Sequence, residues 1–256
     1  MTNTGSVWKH ILKTINEKGI AHLTLIDPDP IKQTPKKAGQ IAKLAEAAGS
    51  TAIIVGGSTA YGIIDETLKQ IKDQVEIPVI LFPGNVSGLS NIADAVFFMS
   101  LLNSRTTYWM IDAQTLAARH IEGLNLEPIS MAYLIVQPGG TAGFVGDARL
   151  LPRDKPEIAI GYALAAQYMG FKLVYLEAGS GAENAVPLPM IKLVSNKIKV
   201  PLAIGGGIYT IKQAAAVAAA GAEIIVQGTV IEKTILKDNG AQLSKTIVAI
   251  QQAKKE

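Results

Sequence analysis

The chain contains no cysteine, which excludes both a disulfide framework and a thiolate metal site. It also lacks a long apolar run, and nothing in it approaches the roughly 20 residues a bilayer-spanning helix needs. The opening segment MTNTGSVWKH is polar and has no signal-peptide core. These absences predict a soluble, cytoplasmic protein without a transmembrane segment; a transient membrane contact for an apolar ligand stays open. Charge is sparse as well, at 18% of residues with a net value of +3. No Lys/Arg run alternates with aromatics, so nucleic acid is not an expected partner. The three histidines, His10, His22 and His120, share no metal-ligand spacing, and His22, at the start of a strand, reads as structural. Lysine is missing from the strand ends, since Lys172 begins its strand, which counts against Schiff-base chemistry.

What is present is a regular alternation. Short apolar runs at 22–26, 51–55, 78–82, 95–99, 132–136, 172–176, 201–204 and 223–227 read as strands. Helical stretches fall near 6–18, 34–48, 60–73, 105–122, 156–169, 184–197, 210–220 and 229–253. The strands are continuous apolar runs, as expected when both faces of a parallel sheet are covered. Eight such units in 256 residues predict an α/β fold, a (β/α)8 TIM-type barrel forming a single domain over residues 1–256. Only PGNVSGLSNIAD joins the third strand to the fourth, so the third outer helix should be degenerate or missing. An open doubly wound sheet is the alternative, weakened because no G-x-G-x-x-G follows the first strand. A faint repeat, AGSTAIIVGGS against AGAEIIVQGT, agrees with the barrel.

The active site of such a barrel lies at the C-terminal ends of its strands. The residues there are Asp27-Pro28-Asp29, Gly56-Gly57-Ser58, Glu177 with Gly179-Ser180-Gly181, Gly205-Gly206-Gly207 and Gly228-Thr229. Convergent backbone N–H groups bared by glycine bind phosphate oxygens, and a following helix N-terminus adds partial positive charge. One glycine turn alone would be a tight βα connection; three, with the hydroxyls of Ser180 and Thr229, point to a phosphomonoester. Asp27 and Ser58, at adjoining strand ends, suit a hard cation such as Mg2+, although DPD could equally form an Asx-turn or cap a helix. Glu177, between apolar strand and glycine nest, suits a general base of raised pKa, or a buried acid paired with Lys or with backbone amides. Tyr175 shares its face by period-two alternation and reads either as a ligand contact or as core.

Taken together, HLTLIDPD, IIVGGS, YLEAGSGA, AIGGGI and IIVQGT resemble the archaeal prenylglyceryl phosphate synthase family, the geranylgeranylglyceryl phosphate synthases. That resemblance implies a Mg2+-dependent prenyltransferase joining sn-glycerol 1-phosphate to geranylgeranyl diphosphate through an ether bond, with release of diphosphate. It implies Asp27 and Ser58 as metal ligands and Glu177 as the base. Tyr175, Leu176, Glu177, Ala178, Gly179, Ser180, Gly181, Gly206, Gly207, Gly228 and Thr229 would form the glycerol-phosphate site. One branch of the family carries Lys two residues before the first Asp; Leu25 here matches the other branch. The segment at 137–156, with Phe144, resembles one used in subunit contacts and implies a homo-oligomer; a lid over the site is the other reading. The apolar chain of the donor would lie in the gap at 83–94. Two other classes stay open: a metal-independent sugar-phosphate isomerase-type barrel and a non-catalytic phosphate-ligand binder.

Overall fold

Each apolar run becomes a parallel strand hydrogen-bonded to the next, and the last returns to the first. A computed structural model describes residues 5–57 and 63–254. In chain order these form α1 (Ser6–Lys18), β1 (Ala21–Ile26), α2 (Pro35–Ala47), β2 (Ala52–Val55), α3 (Ile64–Lys72), β3 (Val79–Leu81) and β4 (Ala95–Leu101). There follow α4 (Ala113–Gly123), β5 (Glu127–Ile135), α5 (Gly140–Val145), α6 (Pro156–Tyr168), β6 (Leu173–Glu177) and α7 (Leu188–Ser195). The chain ends with β7 (Leu202–Gly205), α8 (Ile211–Ala219), β8 (Ile224–Gln227), α9 (Thr229–Asp238) and α10 (Ala241–Gln252). The strands close in sequential order, with Leu23 of β1 opposite both Ala52 of β2 and Val226 of β8. The α/β barrel is therefore the fold, and the open sheet is excluded.

Alternation along the strands divides the core into an inner and an outer layer. On β6, Leu173 and Tyr175 join the barrel interior with Leu23, Ile54, Ile80 and Phe97. Val174 and Leu176 instead face the helices, where they meet Ala163, Ile191 and Val217. Helix α1 closes the N-terminal end of the barrel, adding Val7, Trp8, Ile11 and Ile15 to the inner cluster. Its first N–H groups have no intrahelical acceptor. Glu127, at the start of β5, accepts two of them, from Val7 at 2.8 Å and Trp8 at 3.0 Å. The negative carboxylate also complements the helix dipole.

The third crossover holds no α-helix, only a 3-10 turn at Val86–Gly88. Asp94 anchors it, accepting from Lys72 Nζ and from the Val79 N–H, each at 2.8 Å. Elsewhere the element limits shift for identifiable reasons. β5 begins at Glu127 rather than residue 132 because it pairs along the whole of the extended β4, from Ala95↔Glu127 to Leu101↔Tyr133. The helix expected over 229–253 is two helices, broken where Asn239 (φ 51°) and Gly240 (φ 80°) turn left-handed. A π-helical turn, Tyr108–Asp112, leads into α4, and the 137–156 segment contains the short α5.

Candidate active site

Glu177 is the last residue of β6 and lies opposite Gly205 of β7. Period-two alternation turns its carboxylate to the same inner face as Tyr175. The Tyr175 hydroxyl donates to Oε2 at 2.7 Å, and the Gly179 N–H donates to Oε1 at 2.6 Å. Burial raises the Glu177 pKa, while these two bonds pull it back. The Tyr175 phenol is pushed far above its usual range by burial and by the Glu177 charge, so it remains a proton donor to the carboxylate. A side chain at Gly206 would enter the Glu177 carboxylate and the backbone of Gly179, and its φ of 76° is left-handed.

The glycine turns after β6, β7 and β8 meet at one rim. Ser180, Gly181, Gly206, Gly207, Gly228 and Thr229 line a single cavity with Glu177. The N–H groups of Ser180, Gly181, Gly206 and Gly207 make no hydrogen bond among the described residues. Ser180 Oγ and Thr229 Oγ1 are 3.3 Å apart, and α9 starts at Thr229, so its positive end opens at the same rim. Unused amides and a helix N-terminus at one place can bind an anion. Leu176 and Ala178 belong to the same segment, but their side chains pack in the outer cluster. The Ala178 N–H is taken by the Gly205 carbonyl.

Asp27, just beyond β1, the strand that pairs with β8, lines the same cavity. Gly57 lies so close that a Cβ there would enter the Asp27 carboxylate. Partial burial of that carboxylate, then the charge of Asp29, raise its pKa. Asp29 itself is engaged locally. It accepts the N–H groups of Ile31 at 2.8 Å and Lys32 at 2.6 Å, the Asx-turn arrangement. Glu232, in the first turn of α9, also has a raised pKa, from burial and then from the Asp27 charge. The Gln33 amide, oriented to satisfy both its ends, donates to Glu232 Oε1 at 3.0 Å and accepts the Asp27 N–H at 3.2 Å. A hard cation at Asp27 would relieve this crowding of negative charge. The described residues contain no cluster of three His, Asp or Glu ligands, so phosphate oxygens of a substrate would complete the shell. Ser58, the other expected ligand, lies outside the described residues.

From Glu177 the cavity, about 270 Å³ in volume, continues into an apolar half bounded by Phe97, Leu101, Trp109, Ala117 and Ile121. Phe82 also lines the cavity, its ring centroid 5.6 Å from Tyr133 and 6.1 Å from Tyr175. Sequence reading passed over Phe82, Tyr133, Gln33 and Glu232. Phe82 and Tyr133 look like core residues in apolar strands, and the other two reach the rim only through folding. His22 is buried and structural, bonded to Ser50 Oγ at 3.3 Å and Gln227 Oε1 at 3.1 Å. Gln227 in turn donates to the Ile208 carbonyl at 3.0 Å, just past the second glycine turn.

Comparison with known proteins agrees with this geometry. The model of the PcrB family matches residues 12–250. Geranylgeranylglyceryl phosphate synthase of Thermococcus sibiricus is 52% identical over 235 residues, 91% of each chain. That of Methanosarcina acetivorans is 49% identical over 244 residues, 94% of this chain and 97% of the relative. The solved structure of (S)-3-O-geranylgeranylglyceryl phosphate synthase from Thermoplasma acidophilum, in complex with substrate sn-glycerol-1-phosphate, superposes with a TM-score of 0.89 at 40% identity. It covers 94% of this chain and 98% of its own. With its barrel and its sequence matched over nearly the whole length, this chain belongs to the PcrB family, among the geranylgeranylglyceryl phosphate synthases.

Proposed function

We propose that the chain transfers the geranylgeranyl group of geranylgeranyl diphosphate to the C3 hydroxyl of sn-glycerol 1-phosphate. A C–O ether bond forms at prenyl C1, the bond from C1 to the diphosphate oxygen breaks, and diphosphate leaves. The observation that carries this reading is the position of Glu177, fixed by Tyr175 and Gly179 between unused amides and an apolar cavity. The free N–H groups of Ser180, Gly181, Gly206 and Gly207, with Thr229, grip the acceptor phosphate, which leaves its distal hydroxyl at Glu177. Glu177 takes the hydroxyl proton as the ether bond forms. Holding acceptor and donor in one cavity makes the step effectively unimolecular.

Asp27, on the same rim beside α9, supports Mg2+ as the cofactor, with Asp27 and Ser58 as its ligands. When bound, the ion neutralises charge developing on the diphosphate. Gly57 leaves the space in which Asp27 stands. The apolar half of the cavity, between the third crossover and α4, receives the prenyl chain. No helix among the described residues is long and apolar enough to cross a membrane, in keeping with a cytoplasmic enzyme. Helix α5 puts Thr141, Ala142 and Val145 on the cavity wall and leaves Phe144 88% exposed, which supports a homo-oligomer using Phe144 as a contact. The activity is tested by incubating the protein with Mg2+, labelled sn-glycerol 1-phosphate and prenyl diphosphates of graded length. An extractable ether product supports the proposal, and its absence with every donor overturns it.

A further inference from the structure

The amides available to an anion belong to three separate turns, and glycine dominates all of them. Gly179, Gly181, Gly206 and Gly207 have φ of 109°, 76°, 76° and 68°, the left-handed region that glycine enters freely. The turns meet backbone to backbone. A Cβ at Gly206 would strike Gly179, and one at Gly207 would strike Asn184 and Ala185. Glycine has no side chain with which to lock such turns, so their geometry has to come from neighbouring groups.

Two side-chain bonds supply it, and both involve the residues just after the β7 turn. Tyr209 donates its hydroxyl to the Ala182 carbonyl at 2.9 Å. Ala182 closes the β6 turn, its own N–H donating to the Gly179 carbonyl at 3.0 Å. From the other side comes Gln227, the last residue of β8 and the neighbour of Gly228, buried at 5% exposure. Its Nε2 donates to the Ile208 carbonyl at 3.0 Å. The amide oxygen of Gln227 can only accept, so it takes its bond from His22 Nε2, 3.1 Å away. Tyr209 is anchored in turn by its own N–H, which donates to Gln213 Oε1 at 3.0 Å beside the capping box that starts α8. Together these bonds fasten the β6 turn to the β7 turn, and the β7 turn to the strand end that leads into α9.

We infer that Tyr209 and Gln227 are positioning residues that pre-organise the three glycine turns for the acceptor phosphate, acting through the turns rather than by touching the anion. The inference rests on the proposed function and deepens it. An anion that meets loose turns has to order them as it binds, which subtracts from affinity. Turns already fastened when the barrel folds carry no such cost. The two bonds do this from outside the anion's own contacts, which leaves the amides of Ser180, Gly181, Gly206 and Gly207 free for phosphate oxygens.

Tyr209→Phe removes one fastening and keeps the ring, and Gln227→Leu removes the other. Thermal melting shows which variants are folded. Tyr209→Phe, at a half-buried site, carries the test should Gln227→Leu fail to fold. For Tyr209→Phe, calorimetric affinity for inorganic phosphate is expected to fall about 3- to 10-fold, the range of one lost neutral hydrogen bond. KM for sn-glycerol 1-phosphate should rise by the same factor. The bound geometry is recovered once the anion is in place, so kcat and the KM for the prenyl diphosphate stay within about twofold. A residue serving stability alone would lower the melting temperature and leave the folded protein's phosphate affinity at the wild-type value. That result overturns the inference, as does a fall in kcat with phosphate affinity unchanged. If the wild-type protein binds phosphate but forms no ether, the proposed function fails, and the phosphate titrations still decide the inference. If it binds no phosphate, both fail.

Discussion

Tyr175 donates its hydroxyl to Oε2 of Glu177, two residues further along the same strand, at 2.7 Å. Two groups on one face of β6 thus form a donor–acceptor pair inside the barrel mouth, with the second carboxylate oxygen held by the Gly179 N–H at 2.6 Å. The pair fixes the carboxylate in place and tunes when it can accept a proton.

Glu177→Gln keeps the volume and loses the proposed base. Turnover is expected to fall by roughly 10²- to 10⁴-fold, with sn-glycerol 1-phosphate still bound in calorimetry. The base must be ionised to act, and burial raises its pKa. The acid limb of kcat therefore lies higher than the pKa of an ordinary glutamate. Tyr175→Phe removes a bond that lowers this pKa, so the limb moves to still higher pH. A limb that moves down or stays fixed contradicts the pairing.

Gly57→Ala places a methyl group in the Asp27 carboxylate. Displacing the proposed Mg2+ ligand is expected to raise the Mg2+ concentration for half-maximal turnover by about 10-fold or more, the range seen when a ligand's support is lost. Phosphate affinity, measured without metal, should not change. Chelation of divalent cations should abolish turnover in the wild-type protein, and activity that survives it argues for the metal-independent barrel.

Ala117 lines the apolar half of the cavity from α4 and is 7% exposed. Ala117→Phe fills that space and should shift preference from geranylgeranyl to shorter donors by about tenfold or more in kcat/KM. An unchanged ranking of donors in a variant that melts normally would place the prenyl chain elsewhere.

His22 is buried without a charge partner, which lowers its pKa from 6.5 to about 4 despite the bond to Gln227. The unfolded chain takes up the proton first as pH falls. Stability from this residue is complete above pH 6.5 and is lost progressively down to about pH 4, by roughly 3 kcal/mol. Denaturant titrations over this window should show the decline in the wild-type protein. His22→Asn should flatten it.

Phe144 projects from α5 with 88% of its surface exposed. Phe144→Asp should lower the mass measured by light scattering if this face joins copies of the chain. An unchanged oligomer moves the contact to another surface.

The fold was legible because its signals are local. Continuous apolar runs announce strands covered on both faces, and the missing third helix follows from a segment too rich in Gly, Ser and Asn to form one. Glu177, Tyr175 and the glycine turns were legible for a related reason, since a strand end in a barrel has one possible destination. The break at Asn239-Gly240 was missed because helical periodicity continues across it, and α5 because six residues are too few for a periodic signal.

By itself the sequence determined which residues reach the C-terminal rim, because parallel pairing and period-two alternation leave each strand end little choice of place or face. Only the tertiary structure decided how the rim works. Closure of β8 onto β1 sets α9, with Glu232, beside Asp27, and Gln33 joins the two. The in-register pairing of β5 with β6 sets Tyr133 against Tyr175 near Glu177. Those relations span long stretches of chain and arise from the closed barrel's register, which no local pattern of residues encodes.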